Sequence, residues 1–307
     1  MPLPKFDPLL QFRSPYNYEL AGKNYHIILD CGKEIFVNFL DGENLQWAEN
    51  AGEFSRKAYE CLKADADLYF VHVTMSAETG KEVHNSLILD LAQDLVTLVT
   101  TEEGLLEEAE RLVRVTPVFG AIKYPGKALP EKRHFFTDRM AGRRIIWQYS
   151  SGFNKMHIYY KPTLYRLPKV DTESFRRRYE AEEDPAEKER LKGFVDRFDR
   201  TAASYPFAEE PCFHVTINDH FNLFCFCEEN ETLADPEKAV GGGGIILLQD
   251  LDRMIQNGLG YAYGSYTMCT AYGKEVFEPD EVEFLDVPFD ETKLKTIPCI
   301  YDIKFES

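Results

Sequence analysis

One stretch of the chain, AGRRIIWQYSSGFNKMHIYY from Ala141 to Tyr160, carries the residue types best suited to bind or transform a small molecule. Indole, phenol and imidazole side chains stack on planar ligands and also exchange hydrogen bonds with them. Two runs rich in β-branched and aromatic residues flank Ser150–Gly152, which predicts a β-hairpin. Whether these side chains form a site therefore depends on which of them face inward.

An almost parallel stretch lies earlier in the chain, AGKNYHIILDCGKEIFVNFL from Ala21 to Leu40, and the two align without a gap at an offset of 120 residues. The odd-numbered positions of this first copy are nearly all apolar. Because side chains alternate between the faces of a strand, the odd face is predicted to point inward. Transferred through the offset, the inward positions of the second copy are Ile145, Trp147, Tyr149, Lys155, His157 and Tyr159.

The inward face of the second copy is thus predicted to be polar and aromatic, where the first copy is aliphatic. Convergent polar groups in an apolar cavity are typical of a small-ligand site. We assign His157, Tyr149 and Tyr159 as candidate catalytic residues, since imidazole titrates near neutral pH and a phenol can orient a substrate. Trp147 is predicted to stack on the ligand. The alternative is a core of aromatic residues whose polar ends reach the barrel rim.

Two further matches extend the repeat. HVT at His72–Thr74 recurs at His214–Thr216, and LILDL at Leu87–Leu91 pairs with LLQDL at Leu247–Leu251. The offset only grows along the chain, which indicates one unit copied once and lengthened by two insertions. On this alignment His72 and His214 are equivalent. A structural hydrogen bond or an exposed position is favoured for both, and His214 is retained as a candidate ligand-binding residue. Surface or loop positions are predicted for His84, His134 and His220.

The first insertion, at about 171–204, is densely charged with heptad-like spacing, which predicts helix interrupted at Pro185. The second, at 228–244, is a polar loop that ends in Gly241–Gly244. It lacks the Lys-Ser/Thr of a phosphate loop, so a turn or a lid is predicted. A short helix is also predicted for TEEGLLEEAERLV, Thr101–Val113. Elsewhere, short runs of Val, Ile, Phe and Tyr between turn residues predict antiparallel barrels or sandwiches.

The composition narrows the class of partner. A formal charge of −17 over 307 residues argues against nucleic acid and anionic membranes, so a small molecule is the expected partner and a homodimer stays open. No export signal or long apolar run is present, which predicts a cytoplasmic protein. The seven scattered cysteines are predicted to be free thiols. No metal-ligand spacing or dinucleotide fingerprint occurs, so no metal and no cofactor are predicted.

With the repeat established, the chain resembles the MoaF family, proteins named for molybdenum cofactor biosynthesis and built from tandem lipocalin-like (calycin) domains. The resemblance rests on LAGKNYHIILDCGKEIFVNF, ADLYFVHVTM and SLILDLAQDLVTLV in the first half, and on FCFCEENETL, GGGGIILLQDLDRM and GLGYAYG in the second. It implies an all-β fold of two tandem antiparallel barrels, at residues 1–133 and 134–307, with the helical insertion in the second.

The second copy is also similar, more distantly, to phenolic acid decarboxylases, which are cofactor-free calycin enzymes. WQYSSG places Trp147 and Tyr149 at the two aromatic positions of their Tyr-x-Tyr-Asp-x-Gly pattern. Their Tyr-Arg pair matches Tyr165 and Arg166, which implies ligand-binding roles for both, with Arg166 on a carboxylate. The glutamate of that family falls at or beside Ile217-Asn218, so the acid is missing there.

These observations predict a MoaF-like protein whose second barrel binds a small aromatic or conjugated molecule with a carboxylate. Two classes stay open. One is an accessory protein that sequesters a biosynthetic intermediate, and the other is a cofactor-independent lyase, decarboxylase or isomerase with His157 as acid or base. The tandem arrangement also leaves open a site between the barrels.

Overall fold

The computed structural model describes residues 9–50, 52–78, 81–106, 111–151, 153–168, 173–189, 191–192, 207–227, 244–262 and 265–276. Strands dominate these residues, as the short β-branched and aromatic runs of the sequence predict. The described elements fall into two β-sheets, each built from antiparallel neighbours. The predicted all-β fold is confirmed.

The first sheet is a closed barrel in which each strand pairs with the next and β8 returns to β1. Its strands are β1 Asn24–Leu29, β2 Glu34–Phe39, β3 Asn44–Glu49, β4 Ser55–Asp65, β5 Leu68–Glu78, β6 Lys81–Asp90, β7 Leu95–Leu106 and β8 Arg111–Ile122.

The helix predicted at Thr101–Val113 is wrong, because β7 and β8 occupy this segment. Thr101 pairs with Val115, and the ladder continues outward to Leu106 opposite Arg111. The Glu and Leu residues favour helix locally. Pairing of β7 with both β6 and β8 satisfies the backbone and closes the barrel, and this tertiary requirement outweighs the local preference.

The second sheet follows the order β12-β11-β10-β17-β16-β15-β14-β13-β9, and β12 also pairs with β13. The run from β10 to β17 therefore curls round until its ends meet, with β9 attached to β13 outside that ring. The strands are β9 Phe135–Phe136, β10 Arg144–Ser150, β11 Phe153–Lys161, β12 Leu164–Pro168, β13 Phe207–Thr216, β14 Phe221–Cys227, β15 Gly244–Asp250, β16 Ile255–Ala262 and β17 Ser265–Glu275.

The predicted helical insertion lies between β12 and β13. Helix α1 spans Glu173–Ala181, and residues 185–189 and 191–192 are also helical. The helix stops at 182–184, just before Pro185, and the Asp184 carboxylate accepts a hydrogen bond from the backbone N–H of Ala186 at 3.0 Å. The rest of the predicted helix to residue 204 and Gly241–Gly243 lie outside the described residues.

Three hydrophobic clusters hold the described parts of the chain together. One fills the first barrel and includes Ile27, Val37 and Phe39, and another fills the second barrel. The third lies between the barrels, where outward-facing residues of β4–β8 meet outward-facing residues of β13–β17. We call this contact the seam. Its members include Phe70 and Leu223, which are fully buried.

The repeat alignment is correct for LILDL and LLQDL but wrong for the two HVT segments. LILDL and LLQDL lie on β6 and β15, the sixth strands of the two barrels. His72 lies on β5, whereas His214 lies on β13, which is the counterpart of β4. The two histidines are therefore not equivalent, and a three-residue match was too short to fix the register.

Two further expectations concern the cysteines and membrane-spanning helices. Cys31, Cys61, Cys212, Cys225 and Cys269 are free thiols, which confirms the prediction for these five. No helix among the described residues is long and apolar enough to cross a membrane.

Candidate ligand site in the second barrel

The hydroxyl of Tyr159 lies at the centre of a hydrogen-bond network inside the second barrel. It accepts from Trp147 Nε1 at 3.3 Å and from Gln249 Nε2 at 2.7 Å, and it lies 3.2 Å from His157 Nδ1. All four side chains are buried. Strand alternation places Trp147, His157 and Tyr159 on the inner face, so the predicted inward parity is confirmed for these positions.

The proton inventory of this network fixes the tautomer of His157. Indole and amide N–H groups only donate, and a phenol has two acceptor positions and one proton. The two acceptor positions of Tyr159 are filled, so its proton points to His157 Nδ1. A neutral imidazole that accepts at Nδ1 carries its proton at Nε2. Nε2 of His157 is buried without a hydrogen-bond partner among the described residues.

The network continues towards the end of the barrel where β14 begins and β15 ends. Asn222 Nδ2 donates to Gln249 Oε1 at 2.9 Å and lies 3.1 Å from His214 Nδ1. Gln249 Nε2 also donates to Gln256 Oε1 at 3.1 Å, and Gln256 Nε2 donates to the Tyr149 hydroxyl at 2.8 Å. The buried polar groups are thus linked into one network, which holds each of them in a defined orientation.

Burial keeps the titratable groups of this interior uncharged near neutral pH. It lowers the pKa of His157 well below the usual range, with a smaller contribution from Lys155, and it lowers the pKa of His214 to about 3, helped by Arg139. Burial likewise raises the pKa values of Tyr149 and Tyr159. In this state His157 presents an N–H donor to the interior, and both phenols keep their protons.

The side chain of Tyr165 lies inside the second barrel with these residues, whereas the side chain of Arg166 does not. The Tyr165 ring lies 5.0 Å from the His157 ring and 4.8 Å from the Phe226 ring, on the inner face. Arg166 follows it on β12 and so points to the outer face, where its guanidinium lies 4.1 Å from the centre of the Tyr160 ring. The residue is fully buried there. The sequence could not show that outer-face positions are also covered.

A different arginine lies next to the turn between β13 and β14 of the second barrel. Arg139 precedes β10, and its Nη1 donates to the Asn218 carbonyl at 2.8 Å. Its Nε and Nη2 are buried without hydrogen-bond partners among the described residues. Burial, with the nearby charge of Arg143, lowers the pKa of Arg139 to about 10. Its positive charge also contributes, after burial, to the lowered pKa of His214.

The prediction of the site from sequence missed three amide side chains of the network. They are Asn222, Gln249 and Gln256. One signal was available, because Gln249 stands in LLQDL where the first copy has Leu89 in LILDL. Leu89 is fully buried in the first barrel. A polar residue at a repeat position that is buried in the other copy marks a change in the chemistry of the interior.

The corresponding positions of the first barrel hold apolar side chains that form no hydrogen bonds. Ile27, Leu29, Val37 and Phe39 stand where the second barrel has Trp147, Tyr149, His157 and Tyr159. They form part of an apolar core. Within the described residues, no group of three or more His, Cys, Asp or Glu side chains is placed to hold a metal ion.

Comparison with known families gives a match within the first half of the chain. Residues 9–103 match the model of the MoaF N-terminal domain. This segment runs from the chain before β1 through most of β7. A search of curated proteins gives no match.

Proposed function

We propose, on the premise that this chain belongs to the MoaF family, that its second barrel binds a small aromatic or conjugated molecule bearing a carboxylate. The name of the family supports a role linked to molybdenum cofactor biosynthesis. One observation carries the proposed binding site. His157 presents a buried Nε2–H that has no acceptor among the described residues, although its other nitrogen is held by Tyr159. An oxygen atom of the ligand would accept the hydrogen bond from this N–H group.

The proposed ligand chemistry follows from what lines the interior. Tyr159, Tyr165 and Phe224 present ring edges and faces within 6.5 Å of one another, which suits a planar conjugated ligand. The carboxylate is assigned to Arg139, which supplies a positive charge and has two nitrogens without hydrogen-bond partners among the described residues. A partly buried guanidinium favours a carboxylate over a neutral group.

The test is a binding comparison between matched probes. We expect 4-hydroxycinnamate to raise the melting temperature of the protein, and its methyl ester to do so much less. The effect should be lost in His157→Phe and reduced in Arg139→Gln. Tyr59→Phe, which alters only the first barrel, is the control and should keep the full shift. Equal shifts from acid and ester, or an unchanged shift in both second-barrel variants, would overturn the proposal.

Cofactor-independent lyase or isomerase activity is the second candidate. It is favoured by the Tyr149 hydroxyl, which is held by Gln256 at 2.8 Å and kept protonated by burial, as a proton donor must be. In Tyr149→Phe, an enzyme should lose turnover of a bound conjugated acid while it retains binding. If the wild-type protein binds the acid but does not turn it over, the enzyme hypothesis is wrong and binding is the function that remains.

A further inference from the structure

The seam between the barrels contains a polar patch surrounded by the apolar cluster. The patch consists of His72 on β5, His84 and Ser86 on β6, and Thr101 on β7. His72 lies directly opposite Ser86, and His84 directly opposite Thr101. Side chains directly opposite each other share a face and lie close together. All four are about 1% exposed, because the second barrel covers this outer face of the first.

Three residues of this patch, His72, Ser86 and Thr101, have buried polar atoms without hydrogen-bond partners among the described residues. Neither ring nitrogen of His72 has a hydrogen-bond partner among the described residues, and the same is true of the hydroxyls of Ser86 and Thr101. Each unsatisfied buried group costs free energy, so several together on adjacent strands call for a common partner. Among the described residues, the second barrel places the ring of Tyr266 over them, 4.5 Å from His72 and 4.9 Å from His84.

The geometry argues against a metal ion as that partner. The rings of His72 and His84 are stacked 5.2 Å apart at 24°, so their nitrogens lie in nearly parallel planes and do not converge on one point. The nearest carboxylate on a neighbouring strand is that of Glu60, opposite His72, and it accepts a hydrogen bond from Tyr16, which also bonds Arg13. A cation would therefore find no converging ligand set in the described patch.

The groups that remain, two hydroxyls and an imidazole, can each donate a hydrogen bond as well as accept one. Two hydroxyls and an imidazole N–H can all donate at once only to a guest rich in acceptors. The only charge that the patch can acquire is positive, by protonation of an imidazole. Tyr266, which is 37% exposed, covers the two imidazole rings, and its hydroxyl accepts a hydrogen bond from Thr74 Oγ1 at 3.1 Å.

We propose that the seam patch is a second binding site, for a tetrahedral oxyanion such as sulfate or phosphate, free or as part of a larger ligand. Its ligands are the hydroxyls of Ser86 and Thr101 and the imidazole of His72. This site is separate from the interior of the second barrel and lies on the outer face of the first barrel, where the second barrel covers it.

Equilibrium dialysis with labelled sulfate tests the site directly, since sulfate keeps its charge between pH 6 and 8. We expect one sulfate per chain, and binding at pH 6 tighter than at pH 8 because an imidazole takes up a proton with the anion. The double variant Ser86→Ala, Thr101→Val should bind roughly tenfold or more weakly, the loss expected for hydrogen bonds to a charged group. Both substitutions remove groups that lack partners, so the variant should fold.

Two controls separate the outcomes. His157→Phe alters only the second-barrel interior and should keep sulfate binding, so the seam and the proposed function can fail independently. Phenyl phosphate that displaces sulfate at lower concentration than phosphate indicates a larger natural ligand, and the reverse indicates a free ion. Failure to bind one sulfate, or equal binding by the double variant, would overturn the proposal.

Discussion

The hydroxyl of Tyr159 lies 3.2 Å from Nδ1 of His157 and donates to it, because its acceptor positions are occupied by Trp147 and Gln249. One end of the imidazole is thus held by the protein, and the other end is presented to the interior. In the first barrel Val37 and Phe39 occupy these two positions. The second barrel has therefore exchanged an apolar contact for an oriented hydrogen-bond donor.

The tautomer of His157 can be observed by NMR. We expect long-range ¹H–¹⁵N spectra to show a neutral ring protonated at Nε2 from pH 8 down to pH 5, since burial lowers its pKa well below the usual range. In Tyr159→Phe the proton is free to move to Nδ1, and the pattern should become mixed. A ring that becomes doubly protonated near pH 6 would contradict the assignment.

Loss of the Tyr159 hydroxyl should be unusually costly. Tyr159→Phe removes the hydrogen-bond partner of Trp147 Nε1, of His157 Nδ1 and of one N–H of Gln249, so we expect the free energy of unfolding to fall by about 2–3 kcal/mol. Tyr59→Phe in the first barrel removes one bond, to the Asp41 carbonyl at 2.8 Å, and should cost about 1 kcal/mol. Urea denaturation of both variants measures the difference. Equal losses would show that the network adds nothing beyond single bonds.

The indole ring of Trp147 packs directly against the backbone of Gly273. A Cβ at this position would lie 2.6 Å from Cζ3 of Trp147, which is closer than carbon atoms can approach. Gly273→Ala should therefore destabilise the protein by about 1–3 kcal/mol. In a Trp147→Phe background the same substitution should cost much less, because the clashing ring is gone. Thermal unfolding of the four proteins measures the coupling, and additive effects would contradict it.

Acid should destabilise the protein through its buried histidines. Burial lowers the pKa values of His72 and His214 to about 3, whereas an unfolded histidine titrates near 6.5. The unfolded state thus binds more protons below pH 6.5, and stability falls from there towards pH 3, by an amount on the order of a few kcal/mol per histidine.

Urea denaturation at pH 7.5, 6.0 and 5.0 measures this dependence. His72→Phe keeps the ring stack and removes the titrating group, so its stability should vary less with pH. His220→Gln, at an exposed side chain, is the control and should follow the wild type. A His72→Phe profile parallel to that of the wild type would show that His72 does not contribute.

Strand parity predicted the second-barrel interior because the first two strands of each copy align without a gap. A run of apolar odd positions such as Ile35, Val37 and Phe39 leaves little doubt about the buried face. The prediction stopped at the hairpin, since the partners of Tyr159 on β14 to β16 come from strands far away in the sequence. Of these partners, the sequence indicated only Gln249, because it stands where the first copy has Leu89.

The prediction for two of the histidines was wrong. His84 and His134 were predicted at surface or loop positions, yet both are about 1% exposed. A strand with one apolar and one polar face predicts water on the polar side. Here the outer face of the first barrel is covered, so His84 lies under Tyr266, and His134 Nδ1 lies 2.8 Å from Thr97 Oγ1. Nothing in the local sequence shows that a second sheet will cover these positions.

The apolar outer faces that meet at the seam also bear on how such a chain can arise. A single barrel with Phe70 or Leu223 on its exterior would present a hydrophobic sheet to water and would associate with another copy through that face. Joining two copies in one chain makes this association independent of protein concentration. Once the pairing is covalent, one copy can keep the filled interior that secures folding. The other copy is then free to accumulate polar residues inside.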